Sequence, residues 1–111
     1  MNERSRRAVE KIILHANKSI AYTKFQGDGI WWKDDMILEA IVFNLAQIGE
    51  LVRFVEESVQ IEFSHINWSA MRGLRNRIIH DYDFIQPNMI KATIERDLPI
   101  LVNDLNLILK R

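Results

Sequence analysis

An all-α domain is the fold class that this sequence predicts, and three observations predict it. Four glycines and two prolines are few for 111 residues. Ile, Leu, Ala, Glu, Lys and Arg are abundant, and the apolar positions recur at three- and four-residue steps instead of alternating. Hydrophobic residues make up 48% and charged residues 27%, which suits one small buried core with a solvated surface. The expectation is one domain over residues 1–111, folded as an antiparallel four- to five-helix bundle.

The first helix is expected from Glu3 to Lys24, with Val9, Ile12, Ile13, Ala16 and Ile20 on one face and Lys11 and Lys18 on the other. Residues Phe25 to Trp32, with Gly27, Asp28 and Gly29, break the pattern and read as a loop pinned by Trp31 and Trp32. From Asp34 to about Glu57 the apolar face is wide, as a central helix touching several neighbours requires. Gly49 lies within it. A helical glycine costs roughly 1 kcal/mol against alanine, so close approach of another helix is the expected reason for it.

Ser58 to Ile66 read as an irregular connection, and Asn67 as the N-cap of a third helix that buries Trp68, Met71 and Ile78, with Leu74 or Arg75 between them. Helical periodicity weakens from Asp81 to Gln86. Pro87 suits the first turn of a fourth helix, and Pro99 predicts a break or kink near Asp97 before the pattern resumes at Ile100.

The composition excludes several function classes. The chain has no cysteine, hence neither disulfides nor thiolate metal sites. His15 and His65 lack metal-ligand spacing, so no metal or cofactor is expected. No run of about eighteen apolar residues occurs, and no apolar segment follows the basic start MNERSRRAVE, so neither a membrane span nor a signal segment is expected and a cytoplasmic location is. Formal net charge is zero, so any binding of nucleic acid must be local.

The local candidate is RGLRNRIIHD, Arg72 to Asp81, followed by Tyr82. Three arginines, an Asn and a titratable imidazole precede a phenol, a set that suits a phosphodiester better than a neutral ligand. Arg72, Asn76 and His80 form one row at four-residue intervals. Arg75 and His80 lie about 140° apart around an ideal helix and cannot grip one small group from a straight helix. Either the backbone leaves the helix near His80 or a second protomer completes the site, and a symmetric dimer would concentrate both arginines and both histidines around one phosphate. Metal-free RNA cleavage needs a base for the ribose 2′-hydroxyl, a cation for the phosphorane and a donor for the leaving oxygen. His80 and Arg75 supply the first two; a second His80 or Tyr82 would supply the third. Glu50 either orients an arginine of this segment or is an ordinary exposed acid.

Arg75 with Asn76 beside it, His80 after four intervening residues and Tyr82 two past the His resemble the motif of HepT-like toxins in the HEPN superfamily. DDMILEAIVFNLAQIGE is similar to that family's long central helix, NWSAMRGLRNRIIHDYDFI to its motif segment and ERDLPIL to its last helix. The resemblance implies a homodimer-forming HEPN-like bundle and a metal-independent endoribonuclease, with Arg75 and His80 catalytic and Arg72, Asn76, Arg77 and Tyr82 supporting them or contacting RNA. It also implies a type VII-like toxin-antitoxin pair. Its partner would be a minimal nucleotidyltransferase antitoxin, held in the homodimer or a larger hetero-oligomer, which neutralises the toxin by AMPylation, with Tyr82 the candidate site. Some HEPN proteins bind partners, nucleotides or RNA without cleaving, and that non-catalytic module is the alternative.

Overall fold

The structure is a computed structural model that describes residues 1–25, 27 and 29–111. All regular structure among these residues is helical: α1 (Glu3–Tyr22), α2 (Asp35–Leu51), α3 (Glu57–Glu62), α4 (Trp68–His80), α5 (Pro87–Ala92) and α6 (Leu98–Leu109), with short 3₁₀ turns between several of them. Asp28, placed by sequence in the first loop, lies outside the described residues.

Side-chain caps set the helix starts. Asn2 accepts from the Ser5 amide at 2.8 Å, Asp34 from Ile37 at 3.0 Å and Asn67 from Ala70 at 3.0 Å, each satisfying an amide that the helix cannot. α2 is central and lies between α1 and α4, and α6 returns along α1. Each pairing is antiparallel. The Ser5 hydroxyl at the start of α1 accepts from the Glu56 amide beyond the end of α2, and Arg6 reaches the Leu109 carbonyl at the end of α6. Mid-helix, His15 Nδ1 and Asn44 Oδ1 lie 2.8 Å apart; because the Asn44 amide nitrogen donates to the Ala40 carbonyl, its oxygen is the acceptor and the imidazole donates.

Ile12, Ile41, Ile90, Leu105, Val9 and Val52 are fully buried where these helices meet. Each such side chain contributes about 1.5–3 kcal/mol relative to exposure. Trp31 is 3% exposed and meets Trp32 edge to face at 5.9 Å, so the expected pinning of the loop holds. Gly49 is buried against α4, where a Cβ would collide with the Met71 carbonyl and the Arg75 Cβ. Close approach is the reason for that glycine.

Three boundaries depart from the sequence reading. α1 stops at Tyr22 rather than Lys24. α2 ends at Leu51 and tightens into a 3₁₀ turn, Val52–Phe54, instead of running to Glu57. The supposedly irregular Ser58–Ile66 stretch contributes most of α3. That six-residue helix is too short to be stable alone; tertiary contacts hold it, with Val59 and Phe63 buried and Gln60 Nε2 donating to the Val52 and Val55 carbonyls. Pro87 opens α5 as expected. The break near Asp97 takes the form of a π turn, Thr93–Asp97, between α5 and α6. Pro99 has no amide to donate and crowds the carbonyl four residues before it, and the wider turn accommodates both effects.

Candidate functional site

α4 carries the basic segment and is held from both sides. Trp68 and Ile78 are buried, Met71 and Leu74 are half-buried, and the Trp68 indole donates to the Phe63 carbonyl at 3.2 Å. Arg77 and His80 stand in its last turn, where positive charge is favoured by the helix dipole. The helix is intact through His80. Asp81 then leaves it at φ −133° and ψ 35°, and a 3₁₀ turn, Tyr82–Phe84, follows.

Arg75 is the motif arginine that pairs with an acid. Its Nε lies 3.2 Å from Glu50 Oε2 on α2, and its Nη1 donates to Asn76 Oδ1 at 3.1 Å. The arginine is 32% exposed and Glu50 35%, so the pair sits at the edge of the helix packing. Arg53 donates to the other Glu50 oxygen at 2.6 Å. This hydrogen bond from Arg53, followed by the positive charge of Arg53 and Arg75, outweighs desolvation and holds the Glu50 carboxyl below the usual carboxylate range. One carboxylate thus orients two guanidiniums, and a net positive charge remains.

Arg72 and Arg77 point elsewhere. Arg72 Nη1 donates to Gln60 Oε1 at 3.0 Å, and Arg77 Nη1 donates to the Met89 sulfur at 3.2 Å. Neither is paired with an acid among the described residues. His80 is exposed and makes no hydrogen bond among the described residues, which leaves both ring nitrogens available. Tyr82 is 42% exposed. Burial of the remainder, then Glu39, Asp35 and Asp83, pushes its phenol above the ordinary value, so the hydroxyl is protonated at neutral pH.

Of the six sequence-predicted residues, the fold therefore joins Arg75 to Asn76 and leaves His80 and Tyr82 exposed together at the C-terminal end of α4. Because α4 does not unwind before His80, the backbone does not bring Arg75 and His80 to one small group within a protomer. Glu50 takes the orienting role that the sequence left open. Arg53 stands three residues after Glu50, a spacing that could have marked the pair. Gln60, and the acids Asp35 and Glu39 around Tyr82, had no local signal, since more than forty residues separate each acid from the tyrosine. Among the described residues no group of three or more His, Asp or Glu side chains is placed to hold a metal ion, and no helix is long and apolar enough to cross a membrane.

Comparison with known proteins gives the family of the chain. The chain is 28% identical over 97 residues to Putative RNase MJ1380 of Methanocaldococcus jannaschii, covering 87% of this chain and 89% of that protein. It is 29% identical over 79 residues to Putative RNase TTE0752 of Caldanaerobacter subterraneus subsp. tengcongensis, covering 71% and 70%. A further M. jannaschii protein, Putative RNase MJ1216, is 24% identical over 98 residues, covering 88% and 76%. No solved structure matches. The model of the family described as Ribonuclease HepT-like matches residues 12–108, nearly the whole bundle and all of the motif segment, and the chain belongs to that family.

Proposed function

We propose that this protein is a homodimeric, metal-independent endoribonuclease that acts as the toxin of a toxin-antitoxin pair. The observation that carries the reading is Arg75 locked to Glu50 on the same helix whose last residue is an exposed, unpartnered His80. A second copy is what closes the site, because about 140° of helix separates the two side chains in one chain. Exposed apolar residues support such pairing: Met36 and Phe43 share one face of α2, and Ile79 and Phe84 flank His80 and Tyr82 in sequence.

In the paired cleft, His80 takes the proton from a ribose 2′-hydroxyl and the 2′-oxygen attacks the adjacent phosphorus. Arg75 stabilises the charge that develops on the non-bridging oxygens, with Asn76 holding its guanidinium. The phosphorus bond to the 5′-oxygen breaks, and that oxygen receives a proton from the partner's His80 or from Tyr82. The products are a 2′,3′-cyclic phosphate and a 5′-hydroxyl. Arg72 and Arg77 extend the positive surface along the RNA. The antitoxin would be a minimal nucleotidyltransferase that places AMP on Tyr82, which is exposed enough to be reached. Since the phenol is held neutral, that enzyme must remove its proton. The added phosphate would then compete with RNA for the same cations.

Purified protein should cleave RNA in EDTA, and His80→Ala and Arg75→Ala should each abolish cleavage while the far-ultraviolet dichroism stays that of the parent. Undiminished cleavage by both variants would dismiss the reading. A non-catalytic module that binds the nucleotidyltransferase or a nucleotide is the second reading, favoured by zero net charge and by the tie between Arg75 and an acid. Growth arrest on expression without the antitoxin separates the two, because only a toxin produces it.

A further inference from the structure

On the side of α4 away from Glu50, a groove of about 560 Å³ opens between α4 and α6. Its floor is apolar, with Leu45 and Ile48 of α2 at the bottom. Ala70 and Arg77 mark the α4 wall, and Asp97 at the end of the π turn and Asp104 in α6 mark the facing wall. From first to last of these residues each wall advances seven positions, about 10 Å or two helical turns.

Two independent features of this groove have no use inside the protomer. Gly73 sits in the middle of the α4 wall, and a Cβ there would meet nothing within 4 Å. Unlike Gly49, it permits no internal contact, yet it carries the same helical cost against alanine. Its absent side chain makes room for something outside. The second feature is charge: Asp104 is half-buried and forms no ion pair or hydrogen bond among the described residues. At the other end of the groove, on the α4 wall, Arg77 has only the Met89 sulfur. The remaining charged groups at the rim are occupied or peripheral, Asp97 being bound to Arg96 and His65 lying against the Phe63 ring. A half-buried carboxylate without a cation at one end and an unpaired guanidinium at the other are complementary to an occupant that brings both charges, one at each end.

We infer that this groove is the docking site for an amphipathic helix of another protein, which lays an apolar stripe on Leu45 and Ile48, a basic residue against Asp104 and an acidic residue against Arg77. Two turns of a helix match the length of the walls, and the gap at Gly73 admits its backbone. RNA does not fit here. The α6 rim is acidic, and the apolar floor offers nothing to a phosphate. The inference does not depend on ribonuclease activity: Gly73 and Asp104 lie outside the proposed catalytic site, and Arg77, to which an RNA contact is also given, is tested here by helix binding alone.

The test uses two fluorescein-labelled, hydrocarbon-stapled synthetic helices with leucines at i, i+4 and i+7. One carries Arg on the flank that meets α6 and Glu on the other, and the second has these charges exchanged. By fluorescence anisotropy the parent protein should bind the first saturably and the second at least roughly tenfold more weakly, because mispairing a partly buried charge costs more than the 1.4 kcal/mol that tenfold represents. The double variant Arg77→Glu, Asp104→Arg should reverse that preference. Gly73→Leu, which enters open space and should raise the unfolding midpoint, should abolish binding of both. Absence of saturable binding, equal affinity for the two helices, or unchanged binding by Gly73→Leu would each overturn the inference. So would self-association of the protein alone that Gly73→Leu removes, since a second copy would then be the occupant.

Discussion

Glu50 is where the arginine geometry is decided. Its carboxylate lies below the ordinary value of 4.5, chiefly through the Arg53 hydrogen bond, so it binds protons less readily folded than unfolded. The sign follows from linkage: the stabilisation is fully present above about pH 4.5 and is lost as pH falls through the depressed folded value. Urea unfolding of the parent and of Glu50→Gln should therefore differ by a constant amount near neutrality, and the difference should shrink at acid pH. If it stayed constant down to strongly acid pH, the ion pairs would contribute nothing. At neutral pH the same substitution unties Arg75, and kcat for RNA cleavage should fall by roughly tenfold or more with KM little changed, because a cation displaced by an ångström loses most of its effect on the phosphorane. Tyr82 titrates in the opposite sense. Its raised phenol pKa stabilises the fold at all pH values below about 10, and that contribution disappears as pH rises through the folded value.

Among the elements, α2 and α4 give one substitution two opposite outcomes. Gly49→Ala would drive a methyl group into the Met71 carbonyl and the Arg75 side chain, and neither helix can withdraw without opening the core. Overpacking of this kind costs about 1–3 kcal/mol. Gly73→Ala meets open space and gains helix propensity of about 1 kcal/mol. Thermal unfolding should move down for the first and up for the second, and a shift of the same sign in both would contradict the packing described. The last helices show a different compromise. Pro99 suggests a break in the sequence, but the π turn keeps α5 and α6 on one course, so Ile94 within it and Leu98 directly after it both stay buried.

For the whole molecule the decisive question is how many chains make one site. Separated around one helix, Arg75 and His80 come together only if two α4 segments face each other. Mixing unfolded Arg75→Ala and His80→Ala chains and refolding them together should then yield cleavage above that of either variant alone, because the mixed dimer retains one guanidinium and one imidazole in its cleft. A mixture no more active than its components would mean that each protomer works alone or not at all. Sedimentation of the parent protein gives the complementary measurement, with a dimer expected and Phe43→Lys expected to weaken it.

Periodicity, caps and proline positions already contained the helical class, the start of every long helix and the burial of Trp31, Trp68 and Ile78, because these depend on local spacing and on amides within a turn of their acceptors. Arg75, Asn76, His80 and Tyr82 could be put forward as a candidate site for the same reason, being neighbours on one short segment. What the chain could not state locally is which side chains distant in sequence come to share a carboxylate or a face. The hold of Glu50 on Arg75, the acids around Tyr82, the rescue of α3 by Gln60 and the contrast between Gly49 and Gly73 all arise where separate helices meet. Such contacts depend on how the helices are positioned against one another, and periodicity along one segment carries no record of that.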